Sequence, residues 1–167
     1  MKIAITGKIC SGKSTLANKL KNILKLEKCS FADNVKKYAK EIFEMEYKDR
    51  KLIQDFAEKM KEIDNNIWIK QLDKEIKDKV HIVIDDLRFE NEYNYLKKNN
   101  YYIIKLVIHK NQQIKRIEDL YKDKAHEHLE RLEHISECNI DKLNADLTIN
   151  TEDVDIKTIL KTIIHQQ

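Results

Sequence analysis

The apolar positions of this chain follow two rhythms, and the change from one to the other divides it into elements. Ile3-Ala4-Ile5, Val80-His81-Ile82-Val83-Ile84, Tyr102 to Ile108 and Leu147-Thr148-Ile149 are short β-rich runs, and Cys29-Ser30-Phe31 is a shorter one. Between them the apolar residues recur at helical spacing. Leu16, Leu20, Ile23 and Leu24 predict a helix from Lys13, and Val35, Tyr38, Ala39, Ile42 and Phe43 predict another that Asp33 would cap. Further helices are predicted around Leu52 to Met60 and Ile67 to Ile76, through Tyr93 and Leu96, over a charged region from Asn111 to about Arg131, and from Val154 to Ile164. Strands alternating with helices predict a parallel sheet covered on both faces, in one domain over residues 1–167. Ligands bind such sheets beyond the carboxyl ends of the strands, so Gly7, Asp33, Asp86 and Asn150 should converge on one edge.

Composition sharpens one point. An average chain of this length holds roughly a dozen glycines, whereas this one has 2 and no proline. Both glycines, Gly7 and Gly12, fall in one loop, which marks it as the place where no side chain fits. Charge changes less: 32 Lys+Arg against 29 Asp+Glu leave +3, too balanced for a nucleic-acid binder. The apolar run after Met1 is too short for a secretory signal, and no stretch approaches the ~20 apolar residues of a membrane span. Cys10, Cys29 and Cys138 show no CxxC spacing, and His126, His128 and His134 form no zinc pattern. The expectation is a cytoplasmic protein.

The loop from Gly7 to Thr15 carries the chemistry. Gly7-Lys8-Ile9-Cys10-Ser11-Gly12-Lys13-Ser14 fits the phosphate-binding pattern G-x-x-x-x-G-K-[ST]. Its glycines let backbone N–H groups turn toward phosphate oxygens, and the helix starting at Lys13 aims its positive end at the same anion. Lys13 should reach the β- and γ-phosphates of ATP, and the Ser14 hydroxyl should ligate Mg²⁺. Asp85 and Asp86 close the apolar strand, where an acid can hold the metal's water shell. Neighbouring strand residues face opposite ways, so one of the two should serve. Arg88 follows, with a guanidinium fork suited to phosphate.

These residues belong to a longer series in fixed order: Phe31 to Lys36, Arg50 to Gln54, Asp64 with Trp68, Asp86 to Glu92, His134 to Glu137, Ala145-Asp146, and Ile149-Asn150. Behind a complete P-loop, the series resembles the deoxynucleoside monophosphate kinases of phages and large DNA viruses, relatives of the animal-type phosphomevalonate kinases. The resemblance implies a three-layer P-loop fold of the nucleoside monophosphate kinase kind, with about five parallel strands and helices on both faces. It implies ATP and Mg²⁺ as cofactors and a deoxynucleoside monophosphate as acceptor, and leaves a homodimer open. Asp33 and Lys36 would face the acceptor, with Asp33 orienting or deprotonating the attacking group. Arg50, Gln54 and Trp68 would line the acceptor pocket, with Asp86 nearby, and Arg88 would bind the acceptor's phosphate. Lys61 stands where the family pattern has arginine, and Asn34 where it has proline. Arg116 and Arg131 would belong to a lid over ATP, approximately residues 111–131, and Asn150 would lie near the adenine.

Other readings separate on single features. A GTPase needs N-K-x-D, and Asn18-Lys19-Leu20 is followed by Lys21. An ABC-type ATPase needs a second glycine-rich segment, for which no glycine is left. A phosphomevalonate or dephospho-coenzyme A type kinase remains open because acceptor choice lies in pocket shape. A nucleotide-binding interaction protein without transfer activity is disfavoured by the combination of Lys13, Ser14, Asp86 and Arg88.

Overall fold

The structure is a computed structural model and describes residues 1–133, 139–152 and 156–165. Five strands form one sheet: β1 (Lys2–Gly7), β2 (Glu27–Cys29), β3 (Ile82–Leu87), β4 (Tyr102–Val107) and β5 (Leu147–Asn150). Their order across the sheet is β2-β3-β1-β4-β5, and every pairing is parallel. The helices are α1 (Lys13–Leu24), α2 (Phe31–Ile42), α3 (Arg50–Ile63), α4 (Ile67–Ile76), α5 (Glu90–Lys98), α6 (Lys110–Tyr121), α7 (Ala125–Leu129) and α8 (Ile156–His165). No helix among the described residues is long and apolar enough to cross a membrane.

Strand alternation builds the two halves of the core. Ile3, Ile5, Val83, Ile104, Leu106 and Ile149 face one way, against Leu16, Ala17 and Leu20 of α1 and Ile159, Leu160 and Ile163 of α8. Ala4, Ile82, Ile84 and Ile103 face the other, against Ile69, Leu72 and Ile76 of α4 and Leu96 of α5. Near-continuous apolar strands are what burial on both faces requires. The result is the three-layer α/β architecture of the P-loop kinases.

Two local expectations change. Cys29-Ser30-Phe31 does not form a strand together: β2 ends at Cys29, and Ser30 is the N-cap of α2. The Ser30 backbone is extended, and its Oγ accepts from Asp33 N at 3.2 Å. Phe31, 4% exposed, is tucked beneath the sheet edge as the first helical residue. Asp33 is thus the third residue of the helix rather than its cap, where its charge still favours the helix dipole. The second change concerns 111–131. Lys122 (φ 47°) breaks the run, so α6 is followed by short 3₁₀ turns and α7. Within α6, Ile117 is fully buried and Gln113 is 3% exposed, so this helix is anchored at its middle.

Candidate functional site

At the carboxyl edge of the sheet, β1 runs into the P-loop and the loop into α1. Each glycine has its own reason. A Cβ at Gly7 (φ 150°) would stand 2.6 Å from both the Leu106 carbonyl of neighbouring β4 and Ser11 Oγ. Gly12 (φ 95°) has open space around it, but its left-handed backbone starts α1 without a side-chain cap. Lys13 is folded back over the loop, its Nζ donating to Gly7 O at 2.5 Å and Lys8 O at 2.8 Å. Ser11 is fully buried, with no partner for its hydroxyl among the described residues.

Sheet alternation sends the two acids of β3 to opposite layers. Asp85 lies on the α1 face with Val83, and its Oδ2 accepts from Ser14 Oγ at 2.9 Å. Asp86 lies on the α2 face, where its carboxylate accepts from Phe31 N at 3.1 Å and Ala32 N at 2.9 Å. It holds the start of α2, and with it Asp33, against the sheet. Burial pushes the Asp86 carboxyl above its ordinary value, and the Asp85 charge adds to that against the two backbone N–H groups. Ser14 and Asp85 offer oxygen donors of the hard kind that Mg²⁺ prefers. Among the described residues no group of three or more His, Cys, Asp or Glu could hold a metal ion. A metal at Ser14 and Asp85 would therefore take its other ligands from nucleotide phosphate and water.

A cavity of about 920 Å³ opens over this edge. Lys13, Ser14 and Thr15 of the P-loop and α1 line it, together with Asp33 and Lys36 of α2, Arg88 after β3, and Arg116 and Tyr121 of α6. Asp33 and Lys36 are paired at 2.8 Å, one helical turn apart. Arg116 donates to Cys10 O at 3.2 Å and to Thr151 O at 3.2 Å, tying α6 to the P-loop and to the end of β5. Gln113 Nε2 donates to Ile9 O at 2.8 Å. Arg116 thus already stands at the phosphate loop, because buried Gln113 and Ile117 fix α6 there.

Several expected site residues lie elsewhere. Trp68, 4% exposed, packs edge-on to Phe56 and donates from Nε1 to Ala57 O, so it is part of the helical layer. Gln54 faces outward and bonds Glu58 one turn on. Arg50 begins α3, with Nη1 3.4 Å from His128 Nε2; His128 stacks on Tyr121, so Arg50 reaches the cavity wall only at second hand. Lys61 lies 3.4 Å from the centre of the Phe89 ring, and burial lowers its pKa. It stands behind the turn that carries Arg88. Asn150 turns its Oδ1 to Glu152 N at 3.2 Å, and Lys8 pairs with Asp141 at 2.8 Å; neither lines the cavity. The side chain of Arg131, and His134 to Glu137, lie outside the described residues.

Sequence reasoning missed the groups that brace the site. Glu92, 5% exposed, accepts from Arg88 N at 2.9 Å and Phe89 N at 3.1 Å, fixing the turn between β3 and α5. The only signal in the sequence was an acid four residues after Arg88. Burial first, then the Asp86 charge, push Glu92 from 4.5 up to about 7, despite those bonds and the nearby Lys61. An acid whose folded pKa is raised stabilises the fold below its unfolded pKa and loses that contribution as pH rises through the folded value. Between pH 4.5 and about 7, wild-type stability should therefore fall relative to Glu92→Gln. The relative fall should be on the order of 3 kcal/mol at most. Parallel pH-dependent urea curves would show Glu92 ionising without cost.

The family model described as "AAA domain" matches residues 3–141. Solved structures match the whole chain. Shikimate kinase from Aquifex aeolicus is 20% identical, with 99% of this chain and 95% of that one covered and a TM-score of 0.55. Shikimate kinase from Acinetobacter baumannii in complex with shikimate is 17% identical, covering 99% and 94%, with a TM-score of 0.61. TT1252 from Thermus thermophilus is 17% identical, covering 99% and 97%, with a TM-score of 0.67. At these identities the likeness is one of fold. No curated protein matches significantly.

Proposed function

The chain belongs to the AAA domain family, and from that membership and its P-loop geometry we propose that it transfers the γ-phosphoryl group of ATP to a deoxynucleoside monophosphate, giving the diphosphate and ADP. The observation that carries the reading is the single cavity in which the P-loop and Ser14 face Asp33, Lys36 and Arg88. Donor-phosphate groups and cations suited to a second anion share one space. Phosphoryl transfer needs little covalent chemistry from the protein; it needs alignment and charge neutralisation from several directions. Lys13 and the P-loop N–H groups take the donor phosphates. Bound at Ser14 and Asp85, Mg²⁺ would neutralise phosphate charge. Arg88 and Lys36 receive the acceptor's phosphate, and Asp33 orients it. A phosphate oxygen is already ionised near neutral pH, so no base is needed to activate it.

A second reading is a kinase of a smaller anion, as the structurally similar shikimate kinases are. The favouring observation is that Arg50, Gln54, Lys61 and Trp68 stand outside the cavity, leaving no dedicated seat for an acceptor base among the described residues. With a hydroxyl acceptor, Asp33 would take the proton.

The test is coupled ADP release over a panel of deoxynucleoside monophosphates, shikimate, phosphomevalonate and dephospho-coenzyme A. Turnover of a deoxynucleoside monophosphate is expected; turnover of shikimate alone would replace the first reading by the second. For the preferred acceptor, Arg88→Ala should lower kcat/KM by about 10²-fold while ATP affinity stays within a few-fold. Equal collapse of ATP binding would move Arg88 to the donor side.

A further inference from the structure

Lys28 is a cavity cation that the phosphate-loop motif does not anticipate. It is the middle residue of β2, an edge strand in which Lys28 pairs with Val83 and Cys29 with Ile84 of β3. Cys29 and Ile84 share the α4 layer, and Val83 the α1 layer. Strand alternation therefore puts Lys28 on the α1 face with Val83 and, two residues further on, with Asp85. Lys28 Nζ stands 2.8 Å from Asp85 Oδ2, the oxygen that accepts from Ser14 Oγ at 2.9 Å. Asp85 is almost wholly buried, whereas Lys28 keeps about a quarter of its side chain exposed, toward the cavity it lines. The ammonium thus sits against the carboxylate oxygen nearest Ser14, where a nucleotide's metal would be seated.

The two cations cannot both use that oxygen without strong mutual repulsion across a few ångströms of partly buried space. Lys28, together with the hydrogen bond from Ser14, compensates the buried Asp85 charge. When a divalent ion takes over that compensation, the ammonium is released on a flexible four-carbon stem beside the phosphates. We propose that Lys28 is the resident counter-cation of the metal seat: it neutralises Asp85 in the free protein, yields to Mg²⁺ when nucleotide binds, and then meets the transferring phosphoryl group. This rests on the reading of the site as an ATP-dependent phosphotransferase.

The two halves of the proposal predict effects of opposite sign. Mn²⁺ titrated into the full-length protein with ADP, followed by electron paramagnetic resonance, should bind Lys28→Met about threefold or more tighter than wild type, since a competing charge is gone. Lys28→Arg keeps the charge and should stay near wild type. At saturating Mg²⁺, Lys28→Met should lower kcat about tenfold or more with little change in the KM for ATP, because the phosphoryl contact forms mainly in the transition state. A lysine that merely holds the edge strand would not tighten metal binding. Unchanged or weaker Mn²⁺ binding overturns the first half, and an unchanged kcat overturns the second.

A wild-type measurement covers the case in which Lys28→Met fails to fold. In protein labelled with [ε-¹³C]lysine, with Lys28 assigned from Lys28→Arg, its signal should move when Mg²⁺ is added to the ADP complex. A signal that stays fixed overturns the exchange. The Mn²⁺ and lysine measurements need no acceptor. If no panel compound were phosphorylated, the kinase reading would fail while the metal exchange could still be scored.

Discussion

Lys13→Ala is expected to lower kcat by about 10²-fold or more, the scale of losing one preorganised charge from a transition state. In the structure the ammonium bridges Gly7 O and Lys8 O, so it is held over the loop it would serve, with no long path to the phosphates. The substitution also removes those two hydrogen bonds, each worth on the order of 1 kcal/mol of stability. The experiment must separate the two losses. Urea unfolding reads the structural cost, titration with ATP reads ground-state binding, and single-turnover transfer reads the chemistry. The expected pattern is a modest loss of stability, ATP affinity changed by about tenfold or less, and a collapse in transfer. Near-normal transfer by a folded variant would mean that Lys13 only staples the loop.

How far the sequence carries can be seen at particular residues. The apolar runs around Ile3, Val83 and Ile104 announce a buried parallel sheet because no surface strand is so continuously apolar. The P-loop is legible for a local reason: its function resides in backbone geometry that only a few residue types permit. Asp85 and Asp86 show the limit. Alternation says that they part, but which faces α1 depends on the alignment of β3 within the sheet, a long-range fact. Lys28 was hidden for the same reason, since its partner is 57 positions away. Trp68 shows the reverse error. An aromatic at helical spacing fits a ligand pocket and a core equally well, and only the packing of Phe56 against it decides. Asp33 was expected to cap α2 and Ser30 to end a strand; instead Ser30 caps the helix, and Phe31 is buried as its first residue. In α6 the charged surface suggested a segment ready to move, while buried Gln113 and Ile117 hold its middle.

Gly7→Ala should be the most damaging single-atom-group addition at this edge of the sheet, and comparison with Gly12→Ala shows why. At Gly7 the new methyl would meet the Leu106 carbonyl at 2.6 Å, and that carbonyl belongs to the central ladder between β1 and β4. Backbone on this strand cannot step aside as a flexible side chain could, and Ser11 Oγ presses from another direction at the same distance. Left-handed strain at φ 150° comes on top of the clash. At Gly12 the methyl would meet nothing within 4 Å, so only the backbone term remains, at φ 95°. That term costs about 1–3 kcal/mol. Gly7→Ala should therefore lose about 4 kcal/mol or more, in the range kept for overpacking plus backbone strain. Urea unfolding with ATP absent reads the difference directly, since no ligand contributes. Nucleotide binding should follow the same order, because a displaced β1–β4 junction re-aims the first N–H groups of the loop. Gly12→Ala should keep measurable ATP affinity, weakened by distortion at the start of α1. Equal losses at the two positions would mean that Leu106 yields easily, and that Gly7 is required for its backbone angle alone.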